Sequence, residues 1–353
     1  MKIALLSKYS RLGASSRYRT FQYLPHLEMA GIHCKISPLF DDEYLANRYR
    51  QGRGSIPDLL RAFQRRIMAI TRARSADLVV IEYELIPYYP ALFEKLLART
   101  GCRYVVDYDD ALFHQYDHHR NPLVRTLLGK KIATVMRHAE LVLAGNSYLA
   151  DYAGHAGAKR VEIIPTVVDL DRYPLKVRER QTHAPLVIGW IGSPSTAKYL
   201  QTIAPALAEV CRDGRALVRV IGSGAIDLPG VPVEVLPWNE ATEVISMQTF
   251  DVGIMPLPDE PWARGKCGFK LIQYMACGLP VVASPVGVNA EIVEELGNGL
   301  LSASHDEWVK ALCFMRDHPK ERSRMGKAGR VKVETRYSLQ VMAPRLVELL
   351  RRL

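Results

Sequence analysis

In the stretch GKCGFKLIQYMACGLPVVAS, residues 265–284, a loop containing glycine leads into an amphipathic helical run and then into an apolar strand. Four apolar residues recur in the run at the three- and four-residue spacing of one buried helix face: Phe269, Ile272, Met275 and Ala276. Gly278 and Pro280 end the helix. The following PVVAS, residues 280–284, is a short β-branched run typical of a parallel sheet covered on both faces. The stretch therefore predicts consecutive elements of an α/β domain.

The start of this helix suits an anionic ligand. Lys266, Gly268 and Lys270 fall where the loop becomes the helix, so backbone N–H groups and positive side chains can converge on a phosphate group. We expect Lys266, Gly268 and the first helical residue, Phe269, to bind that group. Lys270 is expected to stabilise its charge during a reaction.

Apolar β-type runs alternate with helix-length amphipathic runs along the whole chain, which predicts parallel sheets flanked by helices. The candidate strands of the first half are IALLS, LVVIEY, RYVVDY, LVLAG and VEIIP, and those of the second are LVIGWIG, LVRVIGSG, VEVLP, DVGIMPL and PVVAS. Residues 176–185 form a polar stretch bounded by prolines and are expected to link two α/β halves. Ligands of such halves bind in a cleft at the carboxyl ends of the strands.

The composition is that of a globular protein with room for two domains: 353 residues, 48% hydrophobic and 24% charged. The six cysteines form no C-x-x-C pair, which favours reduced thiols in the cytoplasm. MKIALLSKYS at the start has too short an apolar run for a signal peptide and predicts a strand. No apolar run reaches the length of about 18 residues that a membrane span needs.

The net charge of +10 is concentrated in the first half of the chain. Up to Tyr173 there are 25 Lys and Arg against 18 Asp and Glu, and the rest has 22 against 19. Residues 59–74 and 120–138 are patterned as helices with basic faces, which either rest on anionic lipid or are solvated. Nucleic acid is not expected, since no aromatic-interleaved basic groove accompanies the charge.

The stretch at residues 265–284 resembles the donor-site signature of glycosyltransferase family 4, in which E-[AY]-M-[AS]-x-G-x-P-V-[VI]-[AG]-S follows a glycine-containing loop. The matching residues are Tyr274, Met275, Ala276, Gly278, Pro280, Val281, Val282, Ala283 and Ser284. ELVLAGNSYLADYA, VEIIPTVVDLDRY, GWIGS, VRVIGSG and FDVGIMPL agree with the family as well. The resemblance implies the GT-B fold, two Rossmann-like domains facing a central cleft. It places them at residues 1–175 and 186–338, with the helix at 339–353 crossing back onto the first.

The resemblance also assigns residues of the second domain. Similar enzymes place an Arg, and five residues later a Lys, on the donor diphosphate, and here those positions hold Ser193 and Lys198. A hydroxyl cannot neutralise phosphate charge, so another cation must compensate. The candidates are Arg264, Lys266 and Lys270.

The family's paired glutamates, eight residues apart, fall at Gly265 and Gln273. Gln273 can still hydrogen-bond ribose hydroxyls and is retained as a nucleotide contact. The carboxylate missing at Gly265 is replaced either by Asp259 or Glu260, or by backbone groups at residues 267–268.

Two further glycine loops follow candidate strands. Gly222 in VRVIGSGAI lets a nucleotide approach the backbone or simply forms a tight turn. The motif lacks the third glycine of a dinucleotide fingerprint, which argues against Rossmann oxidoreduction. Gly13 in SRLGASSRYR precedes serines that can cap a helix with Arg17 and Arg19 in its first turn. That loop either closes over a phosphate or an acceptor, or is a turn with arginines facing solvent.

DYDDALFH directs four polar residues towards the cleft: Asp107, Asp109, Asp110 and His114. Three close carboxylates suggest metal binding or proton handling. The GT-B resemblance argues against a metal-binding D-x-D and aligns Asp109 and Asp110 with a His–Asp pair, so we expect no metal. Asp109 or Asp110 would orient an acceptor hydroxyl or stabilise the transition state, the alternative being a helix N-cap.

The sequence thus predicts a cytoplasmic retaining glycosyltransferase, and one interpretation of its basic helices is peripheral binding at the inner face of the membrane. Its donor is a nucleotide diphosphate sugar, its acceptor a glycan or lipid-linked glycan, and no separate cofactor is expected. The alternatives are a non-catalytic or partner-dependent nucleotide-binding module and a nucleotide-sugar epimerase.

Overall fold

The computed structural model describes residues 1–51, 55–175 and 184–353. Contacts between residues divide the chain into two compact units. Unit 1 comprises Met1–Thr166, Gly265–Cys267 and Met342–Leu353, and unit 2 comprises Val167–Arg264 and Gly268–Val341. The division falls at Thr166, earlier than the boundary at 175 expected from the sequence. The expected linker at 176–185 lies almost wholly outside the described residues.

Unit 1 is built on a parallel sheet whose described strands are ordered β2-β1-β3-β4-β5-β6. The strands are β1 (Lys2–Leu6), β2 (His33–Ile36), β3 (Leu78–Glu82), β4 (Tyr104–Tyr108), β5 (Leu141–Ala144) and β6 (Val161–Ile163). The helices are α1 (Ala14–Arg19), α2 (Leu24–Met29), α3 (Asp42–Gln51), α4 (Ile56–Ala73), α5 (Leu92–Arg99), α6 (His114–Asp117), α7 (Pro122–Leu128), α8 (Lys131–His138) and α9 (Ser147–His155). A short 3₁₀ helix covers Phe21–Tyr23.

Unit 2 has a second parallel sheet with described strands in the order β12-β11-β10-β7-β8-β9. The strands are β7 (Leu186–Ile191), β8 (Ala216–Ile221), β9 (Val233–Leu236), β10 (Val252–Met255), β11 (Val281–Ala283) and β12 (Gly299–Leu301). The helices are α10 (Pro194–Ala197), α11 (Ala204–Cys211), α12 (Glu243–Met247), α13 (Pro261–Arg264), α14 (Phe269–Ala276), α15 (Asn289–Ile292), α16 (His305–Asp317) and α17 (Pro319–Arg336). The last helix, α18 (Leu339–Arg351), begins in unit 2 and belongs to unit 1 from Met342 onwards. Two 3₁₀ helices cover Leu170–Arg172 and Lys198–Ile203.

The stretch at residues 265–284 folds as its pattern predicts. It forms α14 and β11, and every residue of Leu271–Ala276 is buried. Gly278 has φ +73°, a left-handed conformation that suits glycine just after a helix. The strand β11 is buried throughout because β10 and β12 flank it in the sheet. All ten candidate strands are present and the predicted α/β fold class is confirmed.

The two basic segments differ from their expected form. Residues 120–138 contain two helices, α7 and α8, instead of one. In α4 the side chain of Arg66 turns inward and donates to the carbonyl oxygen of Ser7. Lys131 of α8 is buried against Glu84. Part of the positive charge therefore lies inside unit 1 and not on a surface.

Among the described residues, none of the helices combines the length and the apolar character needed to cross a bilayer. The described cysteines are all free thiols.

Candidate functional site

Two glycine loops meet at the carboxyl edge of the unit 2 sheet. Gly222 has φ +75°, and a Cβ at this position would lie 2.5 Å from the carbonyl oxygen of Gly192. The backbone N–H of Gly192 donates to Ile221 at 3.0 Å, and that of Gly222 donates to Leu236 at 2.9 Å. Only glycine fits at position 222, so the loops after β7 and β8 approach each other by backbone alone.

Ser193 opens α10 directly after β7. Its N–H donates to Thr196 Oγ1 at 3.3 Å, and its hydroxyl lies 2.9 Å from Ser195 Oγ. Lys198 follows α10 with an exposed side chain, and its ammonium lies 5.3 Å from the centre of the Tyr199 ring. The loop thus presents hydroxyl groups, with a solvent-accessible cation one helical turn further on.

The first residues of α14 lie beside this loop. Gly268, the N-cap, has φ +63°, and a Cβ there would lie 2.4 Å from Ile292 Cδ1. Phe269 and Lys270 are both half-buried. Lys270 Nζ lies 5.5 Å from the centre of the Trp190 ring, and the edge of that ring reaches within 2.4 Å of the Cβ position of Gly192. Trp190 therefore connects Lys270 to the Gly192 loop.

Other predicted donor-site residues are engaged within unit 2. Gln273 is buried and its amide nitrogen donates to the Tyr173 hydroxyl at 3.0 Å. Arg264 donates to both carboxylate oxygens of Asp259, at 2.6 and 3.0 Å, and lowers the pKa of that carboxyl group. Asp259, offered by the sequence as a replacement carboxylate, is thus paired with a neighbouring cation.

Residues 265–267 group with unit 1, where they contact the segment after β4. Lys266 Nζ lies 3.3 Å from Asp110 Oδ1. A Cβ on Gly265 would lie 2.3 Å from the Cβ of Ala111, so no glutamate side chain fits at this position without displacing that segment. This contact gives a physical reason for the family's missing carboxylate.

Asn146 holds the same residues and was missed by the sequence analysis. Its side-chain oxygen accepts from Leu149 N at 2.9 Å and so caps α9. Its side-chain nitrogen donates to the carbonyl oxygens of Gly265 and Lys266, each at 3.0 Å. The sequence offered one signal, an Asn between a strand and a helix in LAGNSYL, which indicates the cap but not the second role.

The aspartates at the end of β4 and directly after it lie in different environments. Asp107 is buried and accepts two hydrogen bonds from Arg19, one of them from Nε at 2.9 Å. Asp109 accepts from the Tyr83 hydroxyl, and its backbone oxygen lies 3.0 Å from Cys267 Sγ. Burial raises the pKa of the Cys267 thiol, so the thiol keeps its proton and donates. Asp109 and Asp110 thus lie at the carboxyl edge of the unit 1 sheet, while Asp107 has a structural partner.

Two expectations about the loop at residues 10–19 are wrong. Gly13 is the N-cap of α1 and no side chain caps the helix; Ser16 lies inside it. Arg17 and Arg19 lie in its last turn and are buried, not facing solvent. A Cβ on Gly13 would lie 2.4 Å from the Cβ of Tyr9, so the glycine is required by a close contact within the loop.

The hydroxyl of Ser16 donates to Glu82 at the end of β3, at 2.6 Å. Glu82 also accepts from the N–H of Lys8 at 3.0 Å. Burial raises the pKa of Glu82 to about 7. The sequence gave no signal for this carboxyl group, because LVVIEY is explained by a buried strand alone.

The predicted site residues therefore form two groups. Unit 2 contains Ser193, Lys198, Gly222, Gly268, Phe269, Lys270 and Gln273, and unit 1 contains Gly13, Asp109, Asp110 and Lys266.

Solved structures share this architecture over the whole chain. Sucrose-phosphate synthase from Thermosynechococcus elongatus superimposes with a TM-score of 0.71 at 15% identity, covering 100% of this chain and 98% of that one. HepE from Anabaena, in complex with UDP-glucose, gives a TM-score of 0.71 at 15% identity and covers 100% of both chains. At this identity the likeness concerns the fold, which is GT-B.

Residues 185–317 match the family model described as "Glycosyl transferases group 1". The match lies within the second half of the chain, and the resemblance to glycosyltransferase family 4 is confirmed. A curated relative, the GDP-mannose-dependent monoacylated alpha-(1-6)-phosphatidylinositol monomannoside mannosyltransferase of Corynebacterium glutamicum, is 33% identical over 84 residues. That match covers 24% of this chain and 22% of the relative.

Proposed function

We propose that this protein is a retaining glycosyltransferase that moves a sugar from a nucleotide diphosphate sugar to a hydroxyl group of a glycan or lipid-linked glycan. One observation carries the proposal. In unit 2 the loops at Gly192 and Gly222 meet at the carboxyl edge of the sheet, and Trp190 positions Lys270 beside them. Parallel sheets bind their ligands at this edge, where a loop with little side-chain bulk admits a phosphate group.

Sugar transfer requires positive electrostatic potential at the leaving diphosphate. Breaking the bond between the anomeric carbon and the diphosphate develops positive charge on the sugar and negative charge on the diphosphate. Lys198, Lys270 and the N–H groups at the start of α14 would stabilise that negative charge. The acceptor attacks from the face that the diphosphate leaves, and a donor phosphate oxygen takes its proton, so the protein needs no nucleophile of its own.

The remaining residues have supporting roles in this proposal. In unit 2, Gly222, Gly268 and Phe269 allow close approach of the nucleotide, Ser193 donates a hydrogen bond, and the oxygen of Gln273 accepts one from ribose. In unit 1, Asp109 or Asp110 orients the acceptor hydroxyl, while Gly13 forms the loop beneath the acceptor. Lys266 serves the diphosphate and neutralises Asp110 when no ligand is bound.

Two similar proteins use or bind different nucleotide sugars, so they suggest two candidate bases for the donor. HepE was solved with UDP-glucose, whereas the curated mannosyltransferase depends on GDP-mannose. We therefore propose that the donor is one of these two classes, and both belong in the first screen.

A second candidate, a nucleotide-binding module without catalysis, is favoured by a specific set of contacts. Position 193 holds a serine where the family has an arginine, and Arg264 is one candidate to supply the missing charge. Arg264 is paired with Asp259. Lys266 is paired with Asp110, and Gln273 is buried against Tyr173. Three residues expected to reach the donor thus have partners within the protein.

One experiment separates these candidates. Calorimetry with UDP and GDP measures binding, and assays with UDP-glucose and GDP-mannose, with and without an acceptor, measure transfer. We expect one nucleotide to bind, and Lys198→Ala and Lys270→Ala to lose most transfer activity, since each removes a cation. Lys327→Ala, in an exposed position of α17, is the matched control and should behave as the wild type.

Three outcomes would redirect the proposal. Unchanged transfer kinetics in both lysine variants would remove their assigned roles. Nucleotide binding without turnover for any acceptor would favour the non-catalytic module. An altered sugar nucleotide formed without an acceptor would identify an epimerase.

We also propose a peripheral contact with anionic lipid at the cytoplasmic face of the membrane. On α4 the apolar side chains of Ile56, Leu60 and Ile67 are 74%, 63% and 46% exposed. They lie on one face of the helix. Arg61 and Arg65 are also exposed, but they lie roughly 100–180° further round the helix and pair with Asp58 and Asp41. An exposed apolar face, with arginines elsewhere on the same helix, suits the interface of a bilayer.

Vesicles test this contact directly. Vesicles with anionic lipid should retain the wild type at low salt and release it at high salt, while Leu60→Ser with Ile67→Ser should bind several-fold less. Equal retention by neutral vesicles would exclude the electrostatic part of the proposal.

A further inference from the structure

Three metal-ligating side chains lie on one turn of unit 1: His114 and Asp117 of α6, and His118 directly after it. A ring nitrogen of each histidine and a carboxylate oxygen of Asp117 all lie within 4.8 Å of one another. His114 Nδ1 is 3.0 Å from Asp117 Oδ1, and His118 Nε2 is 3.9 Å from the same oxygen. Spacings of three and four residues place the side chains on the same face of the turn.

From this geometry we infer a binding site for a divalent transition-metal ion such as Zn²⁺, held by His114 Nδ1, Asp117 Oδ1 and His118 Nε2. Imidazole nitrogen and carboxylate oxygen are ordinary zinc ligands with bond lengths of about 2.0–2.2 Å. Two ligand atoms on one ion are thus at most about 4.3 Å apart. An imidazole binds a metal in the plane of its ring, so the His118 ring, now stacked on that of His114 with planes inclined by 18°, has to turn out of this stack to share the ion. The side chain of His118 is 57% exposed and has room to turn.

A hydrogen bond to the other ring nitrogen of His114 supports the assignment. Nε2 of His114 lies 2.8 Å from the hydroxyl of Tyr148, which belongs to α9. When Nε2 carries the proton and donates it to Tyr148, Nδ1 presents a lone pair towards Asp117. Metal-bound histidines normally have such an outer partner, which fixes the tautomer and the ring orientation.

The ring of His114 is also held in place by stacking. It meets the Phe113 ring edge to face, with centroids 4.4 Å apart and planes inclined by 65°, and it stacks on the His118 ring, with centroids 4.4 Å apart and planes inclined by 18°. Its side chain is only 11% exposed, so the first ligand is already oriented and the exposed His118 completes the site.

The ion would have a structural role. It would fix the turn that follows Asp109 and Asp110 and, through Tyr148, tie that turn to α9. Three protein ligands leave further coordination positions to water. This inference does not depend on the proposed sugar transfer.

The full-length protein, stripped of metal with a chelator, tests it. Zn²⁺ is titrated in competition with a chromophoric chelator, and Co²⁺ is added separately to record its visible absorption. We expect one ion per chain with an increase in Tm, and a loss of that binding in His114→Ala and His118→Ala. Tyr148→Phe keeps all three ligands and should weaken binding by about tenfold, the effect of losing an outer partner.

His305→Ala is the matched control. His305 Nε2 lies 3.0 Å from Glu209 Oε2, an exposed pair of histidine and carboxylate that does not belong to the three-ligand cluster. This variant should bind Zn²⁺ as the wild type does. Because His118 is exposed, His118→Ala should keep the native circular dichroism spectrum, so loss of binding cannot be ascribed to unfolding. The inference is overturned if His118→Ala, folded, binds Zn²⁺ with the wild-type affinity, or if the stripped wild type takes up no ion.

Discussion

The ammonium group of Lys270 lies 5.5 Å from the centre of the Trp190 ring. A cation is attracted to the face of an indole ring, so this position is fixed by an interaction and not left to a flexible side chain. Trp190 is buried in β7, next to the loop that begins at Gly192. The positive charge of Lys270, which the proposed reaction needs, is thereby held in position before a donor binds.

Lys270→Met keeps the length of the side chain but removes its charge. We expect the Kd of the nucleotide diphosphate to rise by about tenfold or more, and its dependence on salt to weaken, because one cation–phosphate attraction is lost. Lys270→Arg, which can also stack on the indole, should stay much closer to the wild type. Calorimetry at two salt concentrations measures both effects. An unchanged salt dependence in Lys270→Met would show that this lysine does not reach the phosphates.

Gly222→Ala should destabilise the protein and impair nucleotide binding, because its Cβ would lie 2.5 Å from the backbone oxygen of Gly192. Gly214→Ala is the control, because it has the strain of a left-handed backbone without a clash. Gly214 has φ +72°, and nothing lies within 4 Å of its Cβ position. Gly214→Ala should lower the free energy of unfolding by about 1–2 kcal/mol, and Gly222→Ala should lower it clearly more. Urea unfolding checks the order, and equal losses would remove the clash as the cause.

Because of Glu82, the free energy of unfolding should fall as the pH rises from about 5 to about 8. Burial raises its pKa from 4.5 to about 7, so between these values the folded state holds a proton that the unfolded state has released. Its contribution is therefore complete below pH 4.5 and is lost as the pH passes 7. Glu82→Gln has no such proton and should gain roughly 2–3 kcal/mol relative to the wild type between pH 5 and pH 8. Urea unfolding across this range measures the difference, and parallel pH curves for the two proteins would contradict the prediction.

Lys131→Met should destabilise unit 1 by roughly 3 kcal/mol, because it leaves the Glu84 carboxylate buried without its cation. Tyr116, which donates to Glu84 at 2.8 Å, cannot supply the missing charge. Lys131→Met combined with Glu84→Gln removes the uncompensated charge and should recover much of the loss. Thermal unfolding of the two variants tests this, and a double variant no more stable than the single one would argue against the ion pair as the cause.

The sequence predicted those strands that form continuous apolar runs. It missed β2 and β12, which lie at the edges of their sheets. The HCKI segment of β2 is alternately exposed and half-buried, and the GLL segment of β12 has only three residues. The first strand buries too little surface and the second is too short for its sequence to show a clear strand pattern.

Within the candidate site, local spacing predicted the loop at the start of α14 and the glycine at position 222. It could not predict that Gly265 is confined by Ala111, that Arg19 is buried against Asp107, or that Asn146 holds residues 265–266. Each of these contacts joins positions that are far apart in the chain. The periodicity of a single segment contains no information on such partners.

The grouping of Met342–Leu353 with unit 1 affects how the protein is made. Leu346 and Leu350 close one side of a cavity that Arg19, Tyr23 and Asp107 also line. A ribosome releases residues 1–166 well before these leucines, so the apolar surface that they cover stays exposed until residues 342–353 have emerged. We expect chaperones to engage the growing chain during that interval, and a chain truncated after Val341 to aggregate.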